Sequence, residues 1–180
     1  EKYPERKIYA VDSLCASLGQ GLLVYLAVEQ KRAGADIGAL RDYVEQTKLK
    51  VCHWFTVDDL HFLQRGGRVS KTAAAVGSVL NIKPVLSVID GEINLLGKAM
   101  GSKRGNNLLA QEIEKAGGVD FTKPTLLGYS GISDALLLKY IEDSRPLWEN
   151  DLDEVRYATI GPVIGTHAGP GAVAVAFFKK

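Results

Sequence analysis

The spacing of apolar positions divides the chain into two stretches of different character. From Lys7 to Val11 a short apolar run reads as a strand, closed by Asp12-Ser13, residue types that favour turns and helix N-caps. The segment from about Leu14 to Arg32 is apolar over most of its circumference, as in a buried helix, and Gly34 ends it. Asp36 then caps a second predicted helix in which Ile37, Leu40 and Val44 recur at helical spacing, and Lys50 to Phe55 reads as a second strand. Two strands separated by helices predict a parallel sheet, and one of only two strands is too small to stand alone. Its remaining strands are therefore expected from a preceding segment. The Glu-Lys-Tyr-Pro lead-in, with no initiator Met, reads the same way, as the middle of something longer.

Beyond Phe55 the pattern changes. Short helices are predicted over Asp58 to Gln64 and Thr72 to Leu80. Pro84 to Ile89 and Glu92 to Leu96 flank Asp90-Gly91, the signature of a type I′ hairpin. An amphipathic helix over Ser102 to Ala116, a strand over Thr125 to Tyr129, a helix over Ser133 to Asp143 and a strand over Glu154 to Ile160 follow. A turn-rich loop from Gly161 to Gly171 leads into a last strand, Ala172 to Phe178. The expected class is α/β: residues 1–56 as the C-terminal portion of a parallel αβ domain, and residues 57–180 as a second α/β domain with a mixed sheet and a β-hairpin. There is no internal repeat and no low-complexity tract.

Composition narrows the class of protein. Apolar residues make up 46% of the 180 positions and charged ones 24%, which excludes a disordered chain. With 22 Lys plus Arg against 21 Asp plus Glu, no overall field attracts nucleic acid or membrane, so any electrostatic patch is local. The longest apolar runs, Leu22 to Val28 and Ala172 to Phe178, fall far short of the roughly 20 residues that span a bilayer. Two cysteines and no apolar stretch of signal-peptide type lead to the expectation of a cytoplasmic protein without a disulfide framework.

Candidate chemistry is sparse. Ser13, between the first strand and a helix, can hold an anionic head group together with free helix N–H groups, or can merely cap that helix. Cys15 near a helix N-terminus is better read as a small buried residue than as a nucleophile, because no His lies nearby in sequence. His167 stands in Gly165-Thr166-His167-Ala168-Gly169-Pro170-Gly171, where closely spaced glycines make either a rigid functional loop or a plain structural turn. Gln64 to Lys71 combines two Arg, two Gly and a Lys with no acid. It suits phosphate, a docking partner or simply a helix C-terminus, and it lacks the ending of a P-loop. Lys98, Lys103 and Arg104 form a second acid-free stretch. Cys52, His53 and His61 make a poor metal set, since adjacent strand residues face opposite sides. No carboxylate pair has a distinctive spacing.

Four segments taken in order resemble the DegV family, whose members include the fatty-acid-binding subunits of bacterial fatty acid kinase. They are Val11 to Gly21, Leu60 to Ser70, Ile82 to Leu86 and Gly165 to Gly171. The resemblance implies a two-domain carrier, not itself an enzyme, that encloses one long-chain fatty acid between its domains and presents the carboxylate to a separate kinase subunit. Members of the family have roughly another hundred residues at the N-terminus. Ser13 and His167 match the positions that hold the carboxylate, and Gly165, Thr166 and Gly169 belong to the loop that supports the site. Arg68 matches a basic position attributed to docking on the kinase. A basic residue that commonly follows the hairpin is replaced by Met100, so the second patch rests on Lys98, Lys103 and Arg104. No cofactor, metal or nucleic acid is implied; transient contact with a membrane surface is compatible. The alternatives are a phosphoryl-transfer enzyme using the Gly- and Arg-rich loops, or a regulatory protein without a ligand.

Overall fold

A computed structural model describes residues 2–70, 81–148 and 155–180. Helices α1 (Ser17–Arg32) and α2 (Ile37–Thr47) precede strand β1 (Val51–Thr56) and the short helix α3 (Leu60–Arg65). The hairpin β2 (Ile82–Ile89) and β3 (Glu92–Met100) leads to α4 (Ser102–Lys115), β4 (Leu126–Tyr129) and α5 (Ala135–Asp143). Strand β5 (Arg156–Thr159), helix α6 (Pro162–Ala168) and strand β6 (Val173–Phe178) complete the described chain. The six strands form one mixed sheet in the order β3-β2-β1-β6-β4-β5, in which only β4 and β5 run parallel.

Local chemistry accounts for several element boundaries. Asp90 and Gly91 have φ of 51° and 82°, the two left-handed positions that a type I′ turn requires. Asp36 caps α2 by accepting from the Ala39 N–H at 2.8 Å, and Asp59 caps α3 by accepting from His61 N–H at 2.8 Å.

The two faces of the sheet differ in bulk. Along β6, Val173, Val175 and Phe177 point into a large core with Leu109 and Ile113 of α4, Leu137 and Tyr140 of α5, and Trp148. The Trp148 indole donates to the Ser144 hydroxyl at 2.9 Å and meets the Tyr140 ring edge-on. The intervening residues Ala174 and Ala176 lie on the other face, where α1 packs with Leu22 and Leu23 against Val51 and Phe178. A third cluster on that face joins Leu60 and Leu63 of α3, Leu86 of β2 and Ala168 of α6.

Three expectations are revised. The parallel pairing between Lys7–Val11 and Lys50–Phe55 does not form: β1 lies inside the mixed sheet, antiparallel to both β2 and β6, and residues 7–11 carry no strand pairing among the described residues. Strand propensity marks an extended segment but not its neighbour. Helix α1 begins at Ser17 rather than Leu14, with Ala16 at the cap position and no side-chain cap, so Ser13 is not its N-cap. Its outer face is also not covered by any of the described residues, with Val24 at 58% exposure and Tyr25 at 42%, although its composition reads as buried all round. The helix expected over Thr72 to Leu80 lies outside the described residues.

Leu22 anchors α1 to the sheet and is fully buried. Leu22→Ala is expected to lower stability by about 2–5 kcal/mol, read as a shifted urea midpoint with an unchanged slope.

Candidate functional site

On the α1 face the sheet does not fill the space between α1 and the α3–α6 pair. A cavity of about 510 Å³ remains, within the range of about 300–1,000 Å³ common for small-molecule sites. Its floor is His53 and Phe55 of β1, Val88 of β2, Ile93 of β3 and Ala174 of β6. One wall is the segment from Asp12 to Leu18, and the opposite wall brings Leu63 and Arg68 together with Ile160, Ile164 and His167. Ala174 keeps the floor low: a Val there, as at positions 173 and 175, would project into the space.

The first wall is built by a strained turn. Leu14 and Ser17 have φ of 51° and 49°, left-handed values that cost a non-glycine residue on the order of 1 kcal/mol or more. The Asp12 carboxylate accepts from the Leu14 N–H at 2.9 Å, and the Ser13 hydroxyl accepts from the Cys15 N–H at 3.3 Å while donating to its carbonyl at 3.2 Å. Ser13 thus spends its hydroxyl locally. It is flanked by cavity residues but does not itself line the cavity, whereas Ser17 does. Burial, and then the Asp12 carboxylate, push the Cys15 thiol up, which keeps it protonated and unsuited to attack.

The second wall joins two motifs a hundred residues apart. The predicted loop around His167 is in fact a seven-residue helix, begun by Pro162 and ended by Gly169 at φ 76°. Glycine spacing resembles loop composition, yet Gly165 is tolerated in the helix and its N–H bonds the Gly161 carbonyl at 2.8 Å. The Thr166 hydroxyl returns to the Pro162 carbonyl at 2.7 Å. The His167 ring lies on Gly66: a Cβ there would sit 2.2 Å from Nδ1. Arg68 donates from Nη1 to the Gly66 carbonyl, so Gly66 is the common neighbour of the guanidinium and the imidazole. Nδ1 of His167 is buried and has no hydrogen-bond partner among the described residues, which leaves Nε2 as the ring nitrogen able to meet a ligand.

Ser130 holds this corner. Its buried hydroxyl donates to the Gly169 carbonyl and accepts from the Ala172 N–H at 3.0 Å, while its backbone bonds the Gly171 N–H and the Ala172 carbonyl. Gly169 must approach the Phe62 ring so closely that a Cβ would lie 2.5 Å from it.

Charge is distributed unevenly. Among the described lining residues Arg68 is the one Lys or Arg, while Asp12, Asp90 and Glu92 lie at the turn and at the hairpin tip. An anionic group is drawn to the Gly66 corner and away from the acids. Lys103 and Arg104 open α4, which covers the other face of the sheet, so they do not join Arg68. Cys52 and His53 face opposite sides, in the large core and in the cavity floor respectively. No group of three His, Cys, Asp or Glu side chains is placed to hold a metal among the described residues. No helix among them is long and apolar enough to cross a membrane.

Sequence reasoning missed four residues that shape this site. From the sequence, His53 reads only as part of a poor metal set. Ser130 carries no motif, and its role exists only through chain reversal at Gly171. Ser17 lies within the Val11 to Gly21 segment without a role of its own there, and Ala174 reads only as a strand position. For Ala174 the alternation of Val and Ala along β6 was an available signal.

A six-stranded mixed sheet with one dense face and one hollow face defines an α/β protein with a largely apolar cavity on one side of its sheet. The sequence family described as "Uncharacterised protein, DegV family" matches residues 1–180, and the chain belongs to that family. A DegV domain-containing protein of Clostridium perfringens is 44% identical over 180 residues, covering 98% of this chain and 60% of the relative. The chain thus spans about 60% of the length of the curated relatives it matches. The crystal structure of a fatty acid binding DegV family protein from Streptococcus agalactiae superposes with a TM-score of 0.80 at 27% identity, covering 99% of this chain and 62% of that one. The Fak B3 protein of Streptococcus pneumoniae, loaded with linoleic acid, has a TM-score of 0.83 at 21% identity over 99% of this chain and 62% of that one, and shares the fold.

Two outcomes follow from this geometry. Ser130→Ala removes a partner from two buried backbone groups, and a loss of about 1–3 kcal/mol is expected in chemical unfolding. His53 is held neutral by burial, against the weaker opposing effect of the Ala16 carbonyl, so its pKa lies below the ordinary 6.5. The unfolded chain then binds the proton more readily, and stability falls as pH drops below about 6.5 towards the lowered value. Unfolding midpoints from pH 8 to 5.5 should show a steeper fall for the wild type than for His53→Gln.

Proposed function

We propose that this chain provides the acyl-binding site of a carrier that encloses one long-chain fatty acid and presents its carboxylate to a separate ATP-dependent kinase. The observation that carries the reading is the cavity itself: a space of about 510 Å³, walled mostly by aliphatic and aromatic side chains, with His167 and Arg68 meeting at Gly66 on one side. The S. agalactiae relative, described as fatty acid binding, is similar over nearly the whole chain and supports the ligand class.

The energetics suit such a ligand. Burying about 14 methylenes at ~0.8 kcal/mol each contributes on the order of 11 kcal/mol before ordering costs. A hydrogen bond to a charged group contributes about 1.5–3 kcal/mol. The tail therefore supplies most of the affinity, and the polar corner fixes which end lies where. We assign the carboxylate to His167 and Arg68, with Ser17 supplying a hydroxyl on the facing wall and Ser13 shaping the turn that places it. Gly165, Thr166 and Gly169 support His167 within and at the end of α6.

Arg68 is exposed as well as lining the cavity, which suits a second role in docking the kinase beside the head group it would phosphorylate. We read the chain as a non-catalytic, cytoplasmic subunit that needs no cofactor. The cavity is lined by residues from before and after residue 56, and in this reading the two portions of the chain enclose the ligand jointly.

Organic extraction of the purified chain, followed by mass spectrometry and by titration of the delipidated chain with stearate, tests the reading. One bound fatty acid per chain is expected, and Arg68→Glu should weaken stearate binding by roughly tenfold and depress kinase-coupled acyl phosphate formation further. Unchanged stearate affinity in that variant would confine Arg68 to docking. Absence of any fatty acid binding would overturn the proposal.

A further inference from the structure

His53 has no role in the carboxylate corner, yet it is 7% exposed and forms part of the cavity floor. Its Nδ1 faces the Ala16 carbonyl at 3.4 Å. A carbonyl only accepts, so the ring proton sits on Nδ1. Gly19 lies against the same edge of the ring, where a Cβ would come within 2.4 Å of Nδ1. The ring is thereby clamped between α1 and the sheet with its orientation fixed. Burial holds the imidazole neutral, and Nε2 is then a lone pair. It has no hydrogen-bond partner among the described residues, and it is not one of the atoms sealed away from open space. Since the residue is otherwise buried, the opening Nε2 has is the cavity.

An acceptor in that position cannot take a carboxylate, which repels a lone pair. A plain hydrocarbon tail would cover it and leave it unsatisfied, a cost that buried polar groups ordinarily avoid. A donor on the ligand removes the conflict. We propose that His53 makes this cavity selective for acyl chains bearing a hydroxyl group along the chain, with the hydroxyl donating to Nε2. The proposal rests on the acyl-binding reading above and names the chemical class of its ligand: hydroxylated long-chain fatty acids. Neighbouring Phe55, Val88 and Ile93 offer no competing acceptor from their side chains, so one position along the chain should be favoured over others.

Competition binding of the present chain with stearic acid and with a series of its monohydroxylated positional isomers tests this. In the wild type one isomer, or two adjacent ones, should bind roughly tenfold tighter than stearate. His53→Phe should abolish or reverse that preference by binding stearate more tightly, and His53→Gln, whose amide can accept at a similar place, should retain part of it. If every isomer binds no better than stearate in the wild type, or if His53→Phe keeps the preference, the proposal is overturned while the acyl-binding reading stands. If no fatty acid binds, both fail. A measurement needing no variant is imidazole ¹⁵N NMR of the wild type: the Nε2 resonance of His53 should move with the preferred isomer and not with stearate, and an equal response to both would contradict the proposal.

Discussion

The approach of His167 to Gly66 is the contact on which the rest of the site depends. An imidazole ring can lie that close only over a residue without a Cβ, and the same glycine offers its carbonyl to Arg68. A hundred residues of chain, including the hairpin, α4 and α5, separate the two motifs. Their meeting requires β1 and β6 to be neighbours in the sheet, because α3 follows β1 and α6 precedes β6. Ser130 secures the arrangement from the far side by tying the turn after α6 to the end of β4. A pair of polar side chains is thus held on rigid elements, which is what orienting a flexible ligand demands.

The cavity is a consequence of asymmetry in the sheet. The face under α4 and α5 carries large side chains and closes completely around Trp148 and Tyr140. The other face carries Ala174 and Ala176 on β6 and Gly128 on β4, and α1 reaches only part of it. Leu18 sits so close to Gly128 that a Cβ would lie 2.8 Å away, which brings the start of α1 down onto the sheet beside the open space. The strained turn at Leu14 and Ser17 then carries the chain around the rim instead of across it. Left-handed backbone at non-glycine residues persists only where surrounding contacts impose it, and here it coincides with the wall of the candidate site.

Much of this was legible in the residues. The Asp90-Gly91 turn has a steric reason that belongs to the dipeptide, and Asp36 has a capping role that needs only its immediate neighbours; both are where local chemistry puts them. The glycines of Arg65-Gly66-Gly67-Arg68 were recognisable as a motif, but their reason lay in a ring from the other end of the chain. Pairing of β1 with β2 and β6 was not legible, because β-propensity describes a surface to be packed and not the strand that packs it. His53 was hidden for a related cause. Beside Cys52 it invites thought of metal, whereas the alternation of a strand sends the two to opposite faces, and only the folded sheet places the imidazole in the cavity floor.

The central claim is that a fatty acid lies in this cavity with its carboxylate at the Gly66 corner. It is tested most directly by measuring dipolar couplings between a ¹³C-carboxyl-labelled fatty acid and ¹⁵N-labelled His and Arg side chains of the bound chain. The account predicts coupling of the carboxyl carbon to Nε2 of His167 and to the guanidinium of Arg68, and none to His53. Coupling to His53, or to neither His167 nor Arg68, would contradict it.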